Sequence, residues 1–458
     1  MLTKKISSDN ISLVNHASVL IKSETVSLLT DPWFFGDAFN DGWALFYEND
    51  HDEICRILNS VTHIFISHEH PDHFSIPFFK KYSNKLIDLN IKIIFQETND
   101  KRVITFLRIL NLHVIEAKNN KWIELDLNIH IKIFSIGTID STFILSTPEN
   151  YFINTNDCEL SFFDGKKIKN NIKQNKPVIL LHQFSYAAWR ASSEWKQKAA
   201  KYKLIQLSKL NKLFNASLLI PFASFIYFAH EENFNLNSDV NSPKKVSDFL
   251  KNENIKYSFL SPKQNDCLIS KLISSSDHSN KLNQSAIEFW EPFYQQLNSK
   301  SLYSPVTSIT SVISENEKQE FLDRIKFSNN LFLMKCIKKL SFNFIFGDSK
   351  IYLHDINEAY LLNFYSIKKI SEPKENCLIS ISHDSFNLIV RQVYGLDTLS
   401  VNGRLAEVSN DGFRKFIYSM GFLTLNSSGY GVRFRELFNV NLLERIVSIT
   451  FRLILKND

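Results

Sequence analysis

THIFISHEHPDHFS, at residues 62–75, is the stretch of sequence that decides the fold. The apolar run of residues 64–66 between polar neighbours predicts a short buried strand. Three histidines, a glutamate, an aspartate and a proline then follow within residues 68–73. Because Pro71 cannot lie inside a helix, we expect a turn that spreads these side chains from the C-terminal end of the strand. The order H-x-H-x-D-H after a strand is typical of a metal site, and a histidine-rich surface loop is the alternative interpretation.

The spacing of these side chains suggests two neighbouring metal ions. His68 and His70 can bind one ion, and Asp72 and His73 can bind another. The pattern resembles the metallo-β-lactamase superfamily, in which an αββα sandwich carries one or two metal ions at one edge of its sheets. The resemblance therefore implies an α/β protein with that architecture.

The length and composition predict a globular protein with more than one domain. The chain has 458 residues, of which 44% are hydrophobic and 22% charged, so it can bury a large core. We predict a metallo-β-lactamase-like catalytic domain over residues 1–265 and a smaller C-terminal α+β domain over residues 313–458. Residues 266–312, which are rich in Ser, Asn and Lys, are predicted to be a connecting region.

The charge and cysteine content argue against several kinds of partner. The net charge of +5 is spread out, and the lysines of residues 166–173 are interrupted by Asn and Ile, so no nucleic-acid partner is expected. The five cysteines have no C-x-x-C spacing, which argues against a structural zinc site or a Rieske cluster and suits a reducing cytoplasm. Residues 216–229, the longest apolar stretch, are too short to cross a bilayer, and the N-terminus lacks an apolar signal-peptide core. We therefore expect a cytoplasmic protein without membrane insertion.

Two further ligands are expected at the ends of later strands. Asp157 follows a predicted hairpin over residues 141–154, where the resemblance places a carboxylate that bridges two metal ions; a turn aspartate is the alternative. His230 follows the predicted strand of residues 216–228, where the resemblance places the last ligand of the second ion. Asp72 and Asp157 are therefore the candidate catalytic carboxylates.

One expected ligand is missing from the chain. The superfamily pattern has a histidine in the loop of residues 136–140, which contains none. His182, after the predicted strand of residues 177–181, can supply this ligand, and Asp140 can do so because carboxylates bind zinc and iron. An incomplete first metal site is the third possibility. Of these alternatives we favour His182.

The first part of the chain offers further contacts around the metals. NHASVLI and TDPW, at residues 15–21 and 30–33, are similar to the opening hairpin of one branch of the superfamily. The resemblance gives Asp31 the role of holding a metal-binding imidazole, with a turn cap as the alternative. His16 either contacts substrate or packs between strands. Trp43 lies in an aromatic loop that either covers the site and contacts substrate or is a surface loop.

Trp189 and Arg190 are candidate substrate contacts. They precede a predicted helix over residues 193–213, whose N-terminal end carries a partial positive charge. Arg190 offers a planar fork for carboxylate or phosphate, and Trp189 offers a stacking surface for a ring. These features predict a small anionic substrate. In the alternative interpretation, Arg190 pairs with Glu194 and Trp189 packs in the core.

A closer resemblance is to the catalytic domain of the cytidine-monophosphate N-acetylneuraminate monooxygenases. It rests on HASVLI, TDPW, SHxHxDH, N-T-x-D-C at residues 154–158 and PFA…H at residues 221–230, and it extends through residues 382–407. The resemblance implies an oxygenase with two metal ions that acts on an anionic or nucleotide-linked substrate with O₂. Iron is favoured for these ions, and zinc or manganese are the alternatives. Because no cysteines are spaced for a Rieske cluster, the external electron donor is expected to be a separate redox partner.

Two other functions are compatible with the same residues. A metal-dependent hydrolase of an ester, lactone, amide or phosphodiester would use metal-bound hydroxide as its nucleophile. A binding protein with a degenerate site is the third hypothesis. The oxygenase is favoured because the resemblance to that family covers most of the chain, whereas the fold alone cannot choose between the first two functions.

Overall fold

A computed structural model describes residues 9–137, 139–173, 175–186, 193–299, 302–306, 312–326, 328–421, 423 and 426. The first part of the chain forms β1 (Asn10–Asn15), β2 (Ser18–Ser23), β3 (Val26–Thr30), β4 (Trp43–Leu45), α1 (His51–Leu58), β5 (His63–Ile66), α2 (Ile76–Asp88), β6 (Lys92–Gln96), α3 (Arg102–Ile109) and β7 (His113–Ala117). The middle part forms β8 (Trp122–Asp126), β9 (Ile129–Ile136), β10 (Asp140–Ser146), β11 (Tyr151–Asn154), α4 (Phe162–Lys169), β12 (Val178–Gln183), α5 (Ser193–Phe214), β13 (Leu218–Phe222), β14 (Ile226–Phe228), α6 (Pro243–Asn252), β15 (Cys267–Leu268), α7 (Ile269–Ser274) and α8 (Ser276–Gln295). The last part forms α9 (Glu315–Ile325), α10 (Leu331–Leu340), β16 (Ser349–Leu353), β17 (Glu358–Asn363), β18 (Ser366–Ile370), β19 (Ile379–Ile381), α11 (His383–Arg391), α12 (Gly395–Asn402), β20 (Ala406–Glu407) and α13 (Gly412–Ser419).

Two β-sheets pack face to face at the centre of the first domain. The first sheet has the strand order β15-β1-β2-β3-β5-β6-β7, and the second has the order β13-β12-β11-β10-β9-β8. Apolar side chains of both sheets fill the space between them; the rings of Phe65 and Phe143, for example, lie 4.8 Å apart. Helices α1, α2 and α3 cover the outer face of the first sheet, and α4, α5 and α6 pack on the second. The αββα sandwich predicted from the sequence is thus confirmed.

Helix α2 fixes the C-terminal end of the metal loop, residues 68–73. Ser75 accepts a hydrogen bond from the N–H of Phe78, and Pro77 occupies the first turn, so the helix begins directly after the loop. Phe78 and Tyr82 lie on the buried face of the helix, against the first sheet. The loop is therefore held between a buried strand and a buried helix.

Two apolar stretches, residues 11–22 and the predicted strand of residues 216–228, are each interrupted, and the two interruptions meet. Residues 11–22 form β1 and β2, which are separated by a turn at His16 and Ala17, and residues 216–228 form β13 and β14. Between β13 and β14, Ala223 adopts a left-handed backbone conformation, with φ of 52°. Its N–H donates a 2.8 Å hydrogen bond to the carbonyl of His16. This contact anchors the backbone of His16 at the edge of both sheets.

Residues 266–299, which the sequence predicted as part of a connecting region, pack on the first domain in the structure. β15 pairs with β1, and α8 buries Trp290 completely, with its indole N–H donating a 2.9 Å hydrogen bond to the carbonyl of Leu260. The polar residues that suggested a linker include exposed positions of α8 such as Asn280 and Lys281. Neither α8 nor another helix in the described part of the chain is long and apolar enough to cross a membrane.

The C-terminal part has a sheet and a hydrophobic core of its own. Its strand order is β18-β17-β16-β19-β20, and helices α9, α11 and α13 pack against it. This α+β unit contacts the first domain close to the metal loop. The amide of Asn402 donates a 3.0 Å hydrogen bond to the carbonyl of Phe39, and the hydroxyl of Tyr394 lies 3.2 Å from a carboxylate oxygen of Glu69.

Candidate metal centre

The candidate ligands meet where several strands of the two sheets end or begin. The metal loop follows β5, Asp157 follows β11, and Asp140 is the first residue of β10. His16 lies in the turn between β1 and β2. Because the parallel pairs β3–β5 and β11–β12 have their carboxyl ends at the same edge, these side chains converge in one crevice, the usual place for a site in an α/β fold.

His16, Asp72 and His73 form a cluster that we call the inner group. Oδ2 of Asp72 lies 3.4 Å from Nε2 of His16 and 3.1 Å from Nε2 of His73. None of these side chains is more than 4% exposed. One donor atom from each residue lies within 4.8 Å of the others, so the three side chains could hold one metal ion.

His68, His70 and Asp140 form a second cluster, the outer group. Nε2 of His68 lies 2.9 Å from Nδ1 of His70 and 4.0 Å from Oδ1 of Asp140. The Asp140 side chain is 27% exposed. The outer group is therefore nearer to solvent than the inner group.

Asp157 lies between the two groups. Its Oδ2 atom is 3.9 Å from Nε2 of His68 and 3.7 Å from Nε2 of His73. His68, His73 and Asp157 also bring one donor atom each within 4.8 Å of one another. A carboxylate in this position can contact an ion in either group.

Electrostatic interactions and burial favour the metal-binding protonation states of Asp72 and His70. Burial would raise the pKa of Asp72, but His73 and His16 hold the pKa of this carboxyl well below its usual range. Burial, together with the charge of His68, lowers the pKa of His70 to about 4. The carboxylate of Asp72 is thus ionised and the imidazole of His70 neutral at neutral pH, which are the forms that bind metal ions.

Asp31 holds His73 in place. Oδ2 of Asp31 lies 3.0 Å from Nδ1 of His73, and its two oxygens accept hydrogen bonds from the N–H and the hydroxyl of Ser67, at 2.7 and 3.0 Å. Burial would lower the pKa of His73, but the charges of Asp72, Asp157 and Asp31 raise it well above its usual value. The raised pKa favours a protonated imidazolium while no metal is bound. A metal ion at Nε2 would displace the proton there, and the proton on Nδ1, facing Asp31, would remain.

Buried atoms without hydrogen bonds indicate that the cluster fits metal ions. Within the described residues, Oδ1 of Asp72, Oδ1 of Asp157 and Nε2 of His73 are buried and make no hydrogen bond. Buried polar atoms without partners are rare because they are unfavourable. Divalent metal ions would satisfy them, since imidazole and carboxylate are their ordinary ligands.

His182 and His230 lie outside both groups. Nδ1 of His182 lies 2.9 Å from Oγ1 of Thr155, and burial lowers the pKa of His182 to about 3. Nδ1 of His230 accepts a hydrogen bond from the N–H of Glu232, whose carboxylate pairs with Arg404 of the C-terminal domain at 2.7 Å. The roles of His182 and His230 as metal ligands stay predictions. Asp140, the alternative to His182, lies 4.0 Å from His68.

The residues expected to contact substrate have different surroundings. Trp189 and Arg190 lie outside the described residues. Trp43 is 3% exposed, and together with His16 and Tyr186 it lines a cavity of about 10 Å³, which has room for about one water molecule. Trp43 thus packs in the core, and its contact with substrate stays a prediction.

A larger cavity opens beside the outer group. Its volume is about 320 Å³, and it extends from His70 to Tyr394 and Asp397 of the C-terminal domain. No site was predicted in that domain, because Tyr394 and Asp397 belong to no motif. His16 was not predicted as a candidate ligand either, because its distance from Asp72 depends on how the turn between β1 and β2 packs.

Comparison with known proteins agrees with this architecture. Residues 10–158 match the model of the beta-lactamase superfamily domain, and the resemblance inferred from the metal loop is confirmed. The cytidine monophosphate-N-acetylneuraminic acid hydroxylase of Xenopus laevis is 27% identical over 241 residues, which are 48% of this chain and 39% of that protein. The inactive cytidine monophosphate-N-acetylneuraminic acid hydroxylase of Homo sapiens is 23% identical over 265 residues, 53% of this chain and 50% of that protein.

The chain thus spans half or less of the length of these curated relatives. Among solved structures, CmlA, a diiron beta-hydroxylase from Streptomyces venezuelae, has a TM-score of 0.42 and 11% identity. The match covers 57% of this chain and 54% of CmlA.

Proposed function

We propose that this chain, whose residues 10–158 match the model of the beta-lactamase superfamily domain, is a dinuclear iron oxygenase that hydroxylates a small anionic or nucleotide-linked substrate. The observation that carries the proposal is the composition of the inner and outer groups. Each group contains two histidines and one aspartate, and Asp157 lies within 4 Å of a histidine of each. Two histidines and one carboxylate with open positions are typical of non-haem iron oxygenases.

The ligands divide naturally between two ions. His68, His70 and Asp140 would hold one ion, and the inner group would hold the other, with Asp157 shared between them. This assignment uses Asp140 in place of the missing histidine and His16 in place of His230. Iron bound there would supply the redox chemistry with O₂, using electrons from a separate donor protein.

The remaining residues of the site position these ligands and limit the access of water. Asp31 and Ser67 orient His73 through buried hydrogen bonds. The ring of Phe39 packs edge-on against His70, with centroids 5.5 Å apart. Such packing holds the imidazole in one orientation and excludes solvent from one side of the outer group.

The substrate class is inferred from the relatives and from the sequence. The curated relatives are named as hydroxylases of cytidine monophosphate-N-acetylneuraminic acid, which is an anionic nucleotide sugar. Arg190 and Trp189 would suit such a molecule, because a guanidinium binds phosphate or carboxylate and an indole stacks on a ring.

Metal analysis of protein purified without added metal tests the proposal. We expect about two iron atoms per chain, one for each ligand group, and an absorption spectrum that changes on exposure to O₂. Uptake of O₂ should depend on a reductant and on the substrate, with cytidine monophosphate-N-acetylneuraminic acid as the first compound to test. Colourless protein with stoichiometric zinc would contradict the oxygenase and favour the hydrolase.

A further inference from the structure

The cavity beside His70 is built by both domains. Its volume of about 320 Å³ lies at the lower end of the range for small-molecule sites. One wall comes from the loop after β3 and from the metal loop, and the other comes from the segment at α12. The lining residues are Trp33, Phe35, Asp37, Phe39, Glu69, His70, Pro71, Phe74, Ser75, Ile76, Pro77, Tyr394, Asp397 and Thr398.

Acidic side chains are the main ionisable groups of this lining. Three carboxyl groups, those of Asp37, Glu69 and Asp397, line the cavity, whereas none of the described lining residues is Lys or Arg. Burial raises the pKa of Asp397 to about 6, against the lowering effect of the charge of Arg102. Partial burial and two neighbouring carboxylates likewise raise the pKa of Asp37, which is an exposed residue. A cation bound in the cavity would favour the ionised form of both carboxyl groups, which burial disfavours.

Asp37 and Asp397 are also free to bind a ligand. Within the described residues, neither side chain makes a hydrogen bond or an ion pair. Glu69, by contrast, is 3.2 Å from the hydroxyl of Tyr394. Since unpaired acids flank the cavity from both domains, a bound cation could contact an acid on each side.

Aromatic rings complete the lining. Trp33 is 2% exposed, and its indole N–H donates a 2.9 Å hydrogen bond to the carbonyl of Gly36, which fixes the orientation of the ring. Phe39, Phe74 and Tyr394 line the same cavity. Aromatic rings attract cations, most strongly where water is excluded, so the rings and carboxylates select the same kind of ligand.

We propose that this cavity binds an ammonium group of the substrate, held between Asp37 and Asp397 and against the aromatic rings. The inference rests on the proposed function, because it takes the molecule bound in the cavity to be the substrate. It adds a cationic group to that molecule, so the substrate would carry both charges, unlike cytidine monophosphate-N-acetylneuraminic acid, which has no ammonium group. The position of the cavity beside His70 places the ammonium-bearing part next to the outer ligand group.

Calorimetric titration with three probes of similar shape tests this inference. The probes are 2-phenylethylammonium, the neutral 2-phenylethanol and the anionic 3-phenylpropionate. We expect the ammonium to bind at least about tenfold more tightly than the other two, as one partly buried charge interaction provides. Asp397→Asn should weaken binding of the ammonium probe by at least about tenfold and leave binding of the alcohol unchanged. Asp37→Asn should change the two affinities in the same direction.

Asp323→Asn is the matched control, because Asp323 lies on α9 of the same domain and does not line the cavity. This variant should bind all three probes as the native protein does. Equal affinity for the three probes, tighter binding of the anion, no binding of the ammonium at millimolar concentration, or unchanged binding in both Asp397→Asn and Asp37→Asn would each overturn the inference. Metal content is measured on the same samples, so zinc-loaded protein that still selects the ammonium would refute the iron oxygenase and leave the cavity assignment intact.

Discussion

The inner and outer ligand groups have similar donors but different surroundings. Both contain two histidines and one aspartate, yet His16, Asp72 and His73 are at most 4% exposed, whereas Asp140 is 27% exposed. The inner group is fixed by Asp31 and by the backbone contact between Ala223 and His16. The outer group borders the large cavity through His70.

This difference suggests a division of roles between two ions of the proposed centre. A buried, hydrogen-bonded ligand set is pre-organised, so an ion held there should exchange slowly and mainly tune the site. A ligand set that opens onto a cavity leaves room for substrate. We therefore expect substitutions in the shared position, the inner group and the outer group to have distinguishable effects on metal content.

Substitution of Asp157 should have the largest effect, because its carboxylate lies between the two groups. We expect Asp157→Ala to lose most of both metal ions and all turnover while the circular dichroism spectrum stays native. Asp164→Ala is a control for removing an acid from the next helix, α4, and should retain metal in full. Full metal content and activity in Asp157→Ala would remove the basis for a shared ligand.

His16→Ala should remove about one ion per chain, because the inner group would keep only Asp72 and His73. The matched control is His230→Ala. Its ring contacts Glu232 and lies outside both groups, so it should keep both ions. Metal analysis of the two variants decides between them: loss of an ion from His230→Ala with full occupancy in His16→Ala would restore the ligand expected from the sequence.

This contrast shows which parts of the site the sequence could predict. The metal loop, Asp31 and Asp157 lie directly after strands that are evident from their apolar runs, so their meeting follows from the fold. His16 could not be assigned in the same way. Its position depends on the packing of two interruptions between strands, the turn after β1 and Ala223. A lone histidine in a turn carries no signal of that contact.

The C-terminal domain illustrates a second limit. The sequence pattern indicated a strand over residues 377–382 and a helix over residues 385–394, where β19 and α11 lie, but residues 343–346, also strand-like in sequence, form a turn. Tyr394 and Asp397 reach the cavity only through the packing of two domains. The helix α8 was predicted as part of a connecting region because its exposed positions carry Asn, Lys and Ser around a buried Trp290. In both cases the deciding contacts join residues far apart in the chain, which local patterns do not encode.

In the outer group, Asp140→Ala should lower metal content more than His182→Ala. Oδ1 of Asp140 lies 4.0 Å from Nε2 of His68, whereas His182 belongs to neither ligand group and faces Thr155 through Nδ1. We expect Asp140→Ala to lose up to about one ion, less than one if solvent or Asp157 replaces the ligand. The reverse order in a chelator titration would show that His182 supplies the missing ligand.

The smallest effect is expected for Asp31→Asn. This substitution changes the hydrogen bond that holds His73 in place but removes no metal ligand. Asn tolerates the left-handed backbone conformation of this position, where φ is 37°, so the turn should be preserved. The single oxygen of the new amide can still accept a hydrogen bond from the N–H of Ser67. The other atom becomes an NH₂ donor, however, and faces Nδ1 of His73, which loses its acceptor.

His73 would then favour the tautomer with its proton on Nε2, the atom that faces Asp72 at 3.1 Å and is proposed to bind the inner ion. We therefore expect metal affinity at the inner group to fall by about 10–100-fold, as is usual when the partner of a metal-binding imidazole is changed. Competition with a chelator measures this loss, and Asp164→Asn serves as the control. Because the outer group does not use His73, its ion should be retained, and equal weakening of both ions would mean that the two groups are not separate sites.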